Sequence, residues 1–560
     1  MLAQTIVHEG GNLLWEGFCT GPLVLSHEEL GDISVRLLGI DLAGTEVAAR
    51  EELLPFGAVR GEVPAIVLGS ATTLKKCYEA DLAQLALGRS PDDFSAYNEA
   101  RSVYLAAPGD LVVGRTEPWR QALAASEAVP VEVPELRYYY LTHALLTLAV
   151  ASPPDAPATP LARLVRQLRE APHTVVRLFA IDPEARVLLL WLKRAAGLER
   201  LRIDANGPDV AERWNRKTTL YPTVEAAEGM SGPAADEDPY DTLAAETELT
   251  PFRQEFGVLL PRLPGYSLTR AGADEATMRR RVRTAARLLR ERYGLDLGCF
   301  KPAEALTGDR IRTAVPLTDV DALDVLARQA MRTGEDYVLE VHTDYLRHRV
   351  PGYEFILAPS AHVVAGHLAE GGTVQITRGS VWEGSVYVDE ETCDRFGIAP
   401  TWFRTARQGM ATLLGAFERD GRSPGFVKGG VDFAIARLGG RFGDTPVVAM
   451  QDLNLSSNGA EYVRAFLAQA RRALDPDQRL YAATKVVRPT PDTDLKRLKD
   501  STDHNGPHRW VQAITSVPGR WGMIGVAGPC PRQAGQDVLE LEQQLHRAGL
   551  LRTSLRGTPA

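Results

Sequence analysis

The chain has no pair of cysteines at C-x-x-C spacing: Cys19, Cys77, Cys299, Cys393 and Cys530 are scattered over 560 residues. Such a set supplies neither a disulfide framework nor a zinc cage, and points to a reduced, cytoplasmic protein. An excess of basic charge is also missing. Asp+Glu 72 against Lys+Arg 63 leave −9, which argues against wholesale binding of nucleic acid or of an anionic membrane. Any anionic ligand must then be held by local cations. No apolar run reaches the ~20 residues of a membrane span. The most apolar stretch, Tyr138 to Ala151, contains His143 and is expected to be a buried helix. The opening Met1-Leu-Ala-Gln-Thr-Ile-Val-His-Glu lacks a basic segment followed by an apolar one, so no leader is expected. No G-x-G-x-x-G follows a strand-like run, so a dinucleotide-binding reading has little support.

The patterning that is present suggests several domains of mixed α/β type. Residues 1–95 read as an N-terminal α/β unit with strand-like Pro22-Leu-Val-Leu, Ile33 to Leu38 and Ala65 to Leu68, and a helix from Leu74 to Ala86. Cys77 beside Lys75 and Lys76 is read as one face of that helix in preference to a reactive thiol. Residues 96–225 alternate strands (Ser102 to Leu105, Asp110 to Val113, Thr174 to Phe179, Arg186 to Leu192) with helices, an open α/β layer. An acidic, turn-rich stretch over 226–250 reads as a linker. Residues 251–475 carry the chemistry, and 476–560 form a C-terminal extension for packing or substrate. The arginines of the helix Asp274 to Tyr293 read as an exposed face. His342, His348, His362 and His367 lack metal-ligand spacing on one regular element, so no metal site is expected of them.

The densest chemical signal lies between Lys428 and Gly459. Lys428-Gly-Gly-Val-Asp432-Phe-Ala-Ile and Val447-Val-Ala-Met-Gln-Asp452-Leu-Asn454-Leu read as strands joined by a glycine-rich turn. A hairpin centred on residue 442 sets Asp432 opposite Asp452, roughly 5 Å apart, with Asn454 on the same face as Asp452. Carboxylates that close need neutralising, and a hard cation with oxygen ligands, Mg²⁺ above all, is the usual answer. Ser456-Ser-Asn-Gly459 then opens a helix whose free N–H groups suit a phosphate. Upstream, Lys301 ends a strand before a loop containing Gly308, an arrangement that can bring an ammonium to a polyphosphate. A solvated hairpin with unrelated acids is the competing account.

In this order the residues resemble the ATP-grasp superfamily over about 211–465. Lys217 matches the family's first phosphate-binding lysine and Lys301 the second. Leu339-Glu340-Val-His342-Thr resembles the adenine hinge, Gly352-Tyr-Glu354 the ribose acid, Gly430-Val-Asp432-Phe a strand of D-alanine–D-alanine ligases, and Asp452-Leu-Asn454 their Glu-x-Asn. The resemblance implies an ATP-grasp fold preceded by a pre-ATP-grasp α/β domain. It implies ATP and Mg²⁺ as cofactors, with Lys217, Lys301, Gly308, Glu340, His342, Glu354 and Ser456 on the nucleotide and Asp432, Asp452 and Asn454 on the metal. Gly430 stands where those ligases carry an oxyanion-stabilising arginine, so Arg378 or Lys428 is expected in that role. The implied reaction joins a carboxylate to an amine through an acyl phosphate. The pattern is similar to peptide ligases of antibiotic biosynthesis of the pheganomycin type, many of whose relatives are dimers. A small-molecule kinase of the same fold, or a non-catalytic ATP-binding protein, is the alternative.

Overall fold

The computed structural model describes residues 25–68, 94–133, 140–153, 156, 159–207, 210, 216–218, 239–252, 262–303, 311–350, 353–378, 381–419, 425–455, 459–474, 479–519 and 521–552. Among these residues the chain is a mixed α/β protein, as expected, with its main strands in three sheets. The first is parallel: β1 (Leu53–Pro55), β2 (Ala65–Leu68), β3 (Leu111–Gly114), β4 (Val129–Glu132), β5 (Val175–Arg177) and β6 (Leu201–Asp204), in the order β1-β6-β5-β2-β3-β4. Ala65 to Leu68 is apolar at every position and buried throughout, the signature of a strand covered on both faces. Because β1 and β2 share this sheet with strands beyond residue 110, the boundary expected at residue 95 runs through one domain.

Three stretches expected as strands are helical. Ile33 to Leu38 belongs to the helix His27–Leu38, which opens on a capping box between Ser26 and Glu29. Its buried residues Leu30, Ile33, Ser34 and Leu38 follow helical spacing. Ser102 to Leu105 ends the helix Phe94–Leu105. Arg186 to Leu192 lies in the helix Pro183–Ala196, capped by Asp182 and ended by Gly197 at φ 73. All seven of those residues are buried, so the run had no polar face to reveal its period. The apolar stretch from Leu141 to Ala151 is a buried helix, as expected. No helix among the described residues is long and apolar enough to cross a membrane.

The second sheet is antiparallel: β7 (Thr250–Phe252), β8 (Gly265–Leu268), β9 (Leu297–Pro302), β10 (Arg312–Pro316) and β11 (Tyr337–Val341), ordered β10-β9-β11-β8-β7. The helices Glu275–Tyr293 and Val320–Thr333 share its core. Arg280, Arg283, Arg287 and Arg290 are exposed, as expected, and Arg283 holds Asp324 with two hydrogen bonds of 2.8 and 2.7 Å. Arg281 is the exception, buried on the inner face. The linker expected over 226–250 ends in the helix Pro239–Glu246, whose Ala244 is fully buried in the same core.

The third sheet contains β12 (Asp344–Tyr345), β15 (Pro359–Val364), β16 (His367–Leu368), β17 (Gly372–Arg378), β18 (Val381–Val388), β19 (Gly429–Arg437), β20 (Val447–Asn454), β21 (Tyr481–Val487), β22 (His504–Gly506), β23 (Arg509–Val517) and β24 (Trp521–Gly528). The hairpin β13 (Arg347–Val350) and β14 (Tyr353–Ile356) stands beside it. β21 pairs with β18, so β21 to β24 continue this sheet and are not a separate appendage. Trp510 is buried and stacked on Phe466 at 5.0 Å, the packing role expected of that stretch.

Candidate active site

β19 and β20 pair with Asp432 opposite Asp452 and Gly430 opposite Asn454, the register expected from the sequence. The turn between them needs glycine. Gly440 has φ 52, and a Cβ on it would lie 2.3 Å from the carbonyl oxygen of Tyr293. A bulge between Asp432 and Phe433 interrupts the ladder beside the acids.

Each acid is held differently. The Ser360 hydroxyl donates to Asp432 Oδ1, and Asn454 Nδ2 donates to Oδ2 at 3.4 Å. Asp452 Oδ1 accepts the Leu453 N–H at 2.9 Å and lies 2.7 Å from Lys217 Nζ. Burial lifts the pKa of Asp432, the Ser360 hydrogen bond opposes that lift, and the Asp452 charge adds to it, leaving the carboxyl at about 6. Lys217 thus ion-pairs with Asp452 and reaches Asp432 only through its charge, while among the described residues Asp432 bonds to neutral groups.

A second ammonium reaches the same strand. Lys301, on β9, is paired with Glu340 of β11 and donates to the Gln451 carbonyl at 3.3 Å, next to Asp452. Lys301 is 4% exposed and Glu340 1%. Burial works against the ammonium, but the Glu340 carboxylate holds it charged. Burial raises the Glu340 pKa, and Lys301 partly offsets this. Glu340 Oε2 is buried with no hydrogen-bond partner among the described residues, which leaves one acceptor free for a ligand donor.

The structure therefore brings Lys217, Lys301, Glu340, Asp432, Asp452 and Asn454 to one place. His342 stands beyond β11, its ring Nδ1 accepting the Ala314 N–H at 3.3 Å. Burial lowers its pKa, opposed by Asp344. Glu354 pairs with Arg349 in the β13–β14 ladder, with its side chain outside the described residues, as are Gly308 and Ser456. The Arg378 side chain is likewise undescribed. Its backbone ends β17 five residues past Thr373, which sits opposite Ser360, and thus lies about 17 Å along the strand. Lys428 does not face the acid pair: Nζ donates to the Leu178 carbonyl at 3.1 Å and lies 3.4 Å from Asp204 and 3.7 Å from Glu461. Its charge ties the third sheet to the parallel one, a correction to the oxyanion role expected of it.

Two contributors carry no sequence signal. Ser360 is one, in an ordinary strand. Asn206, just after β6, is the other: its Oδ1 accepts from Val427 N at 2.9 Å and Lys428 N at 3.0 Å. Its Nδ2 donates to the carbonyls of Lys428 at 2.6 Å and Leu455 at 2.8 Å. One buried amide thereby pins the entry of β19 and the exit of β20 to the parallel sheet. No group of three or more His, Cys, Asp and Glu side chains placed to hold a metal occurs among the described residues. The set at this hairpin is two acids and an amide, all able to present oxygen, and it fits a hard cation.

No family model and no curated protein matches the chain. Among solved structures it is similar to N5-carboxyaminoimidazole ribonucleotide synthetase in an ADP complex, at 11% identity and TM-score 0.45, over 88% of this chain and 100% of that one. It is similar to the biotin carboxylase domain of Hydrogenobacter thermophilus 2-oxoglutarate carboxylase, solved with MgADP, ADP and bicarbonate, at 12% identity and TM-score 0.42, over 87% and 90%. It also resembles D-alanyl-alanine synthetase A from Vibrio cholerae, at 11% identity and TM-score 0.37, over 73% and 94%. The three are ATP-grasp enzymes. That likeness concerns the course of the chain alone.

Proposed function

We infer that this protein is an ATP-grasp ligase that joins a carboxylate to an amine, releasing ADP and phosphate, with amino acids or short peptides as substrates. The observation that carries the reading is the convergence on the β19–β20 hairpin of an acid pair, whose Asp432 makes no ion pair among the described residues, and two buried ammoniums from separate segments. Phosphoryl transfer asks a protein mainly for positioning and charge neutralisation, and this hairpin offers both. ATP, when bound, supplies the phosphoryl group that makes the carboxylate reactive toward an amine.

Lys217 and Lys301 oppose the negative charge of the polyphosphate. Lys217, which now contacts Asp452, would face the polyphosphate. Asp432, Asp452 and Asn454 would hold Mg²⁺, each being able to present an oxygen. Ser360 keeps Asp432 oriented. Glu340 Oε2, buried without a partner among the described residues, would be the acceptor left for a donor of the nucleotide. Calorimetry of ATP binding with and without Mg²⁺ tests this. Wild type is expected to bind the nucleotide at least tenfold more tightly with Mg²⁺, and Asp432→Asn to lose that difference. An equal Mg²⁺ effect in both proteins would remove the metal assignment.

A further inference from the structure

The carboxyl ends of β5 and β6 meet β15, β19 and the helix Gly459–Ala473 around a cavity of about 200 Å³. That is roughly seven water volumes, room for one compact group. Arg60, Arg177, Lys428 and Arg464 line it against Asp204 and Glu461. Two of the cations are answered. Arg177 Nε lies 2.7 Å from Asp204, and Lys428 faces both acids.

The other two are not. Arg60 and Arg464 make no ion pair among the described residues. Arg60 spends Nη2 on the Ala106 carbonyl, leaving Nε and Nη1 buried without partners. Burial, with Arg472 and Arg177 nearby and Asp110 opposing them, brings its pKa down to about 9, as befits a cation short of counter-charge. Arg464 gives Nη1 and Nη2 to the carbonyls of Glu370 and Gly371 at 2.9 and 3.1 Å, and its buried Nε has no partner. His362, 3% exposed, meets Thr373 Oγ1 through Nε2 at 3.2 Å and leaves Nδ1 unpartnered. Buried donors without acceptors are uncommon, and here they belong to three residues that line one cavity, with Arg464 also lying over the Tyr387 ring at 5.2 Å.

The cavity adjoins the acid pair. His362 lies two residues from Ser360 on the same face of β15, about 7 Å along the strand. Gly430 lies two residues before Asp432 on that face of β19 and sits opposite His362, so no side chain stands there. A ligand anchored among the arginines can lie across Gly430 toward Asp432.

We propose that this cavity takes an oxyanion, a carboxylate or a phosphate, at the far end of the acid substrate, so that the substrate carries two anionic groups on the order of 7–13 Å apart. The inference rests on the ligase reading for the second anion but not for the pocket itself. Arg60 donates to the oxyanion through one of its two open groups, Nε or Nη1, which point to different sides of the guanidinium. Arg464 Nε adds a second donor. His362 supplies Nδ1–H in the tautomer whose Nε2 accepts from Thr373.

Binding of glutarate and of inorganic phosphate to the full chain, by calorimetry against chloride at equal ionic strength, tests the pocket. At least one probe is expected to bind wild type, and to bind Arg60→Gln and Arg464→Gln at least tenfold more weakly, with Mg·ATP affinity within twofold of wild type. Glutarate as the tighter probe identifies a carboxylate, and phosphate as the tighter probe a phosphate. Binding of neither probe to wild type, or equal binding to wild type and both variants (an adventitious ion only), overturns the proposal. Should Arg60→Gln not fold, Arg60→Lys and Arg464→Gln decide by the same criterion. Loss of Mg·ATP binding with anion binding intact would sink the ligase reading and spare the pocket, and the converse would sink the pocket alone.

Discussion

Replacing Lys301 by methionine keeps most of the side chain's length and removes its charge. Glu340, 1% exposed, would then be a buried carboxylate with no cation bonded to it. It escapes by binding a proton. At pH 7 that costs about 1.36 kcal/mol for each unit between pH 7 and the ordinary Glu value near 4.3, about 3.7 kcal/mol, within the roughly 3–5 kcal/mol typical of a broken buried pair. The variant's Glu340 has a folded pKa above its unfolded one, so its protonation favours folding at low pH. That contribution is lost as pH rises above about 4.3, and the deficit shrinks by about 1.4 kcal/mol for each unit the pH is lowered from 7. The double variant Lys301→Met/Glu340→Leu removes both charges and should regain most of the stability while still binding ATP weakly. Urea unfolding of the unit containing β9 and β11 at pH 5, 6 and 7, with calorimetry of ATP binding, reads both effects. Lys301→Met within about 1 kcal/mol of wild type at pH 7, with no trend in pH, would refute the reasoning.

Three more outcomes are expected. Asp432, at about 6, must lose its proton to ligate a cation, so Mg²⁺-dependent binding of ATP should be flat above pH 6 and weaken about tenfold per unit below it; a flat profile down to pH 4.5 would exclude Asp432 as a ligand. Gly429→Ala would set a Cβ 2.6 Å from the Asn454 carbonyl and 2.8 Å from the Phe426 ring, costing about 1–3 kcal/mol and weakening the Mg²⁺ effect, as measured by chemical unfolding and calorimetry. Asn206→Ala strips partners from two N–H groups and two carbonyls at the sheet junction. A loss of about 2–4 kcal/mol on unfolding is expected, against under 1 kcal/mol if water replaces the amide.

The acid hairpin was legible because its register follows from turn composition and strand period alone, both local properties. Asp432 and Asp452 were therefore paired correctly from sequence. The helix Pro183–Ala196 was not legible, since burial on all sides erases periodicity, and the capping by Ser26 and Asp182 went unused as a signal. The domain boundary at 95 failed because parallel sheets assemble strands far apart in sequence, as when β2 sits between β3 and β5. The resemblance implies an oxyanion role for Lys428, whereas its ammonium is claimed by Asp204, a contact across 224 positions that no window of sequence contains. Arg60, Arg464 and Asn206 act across 46, 94 and up to 249 positions and belong to no motif.

The most direct test of the ligase reading is release of ADP and phosphate from Mg·ATP with amino acids and short peptides, dicarboxylic members included, with Asp452→Ala as control. Release that requires an acid and an amine together, and disappears in the control, is the predicted result. ADP release without an amine would indicate a kinase, and ATP binding with no release under any pairing would contradict catalysis.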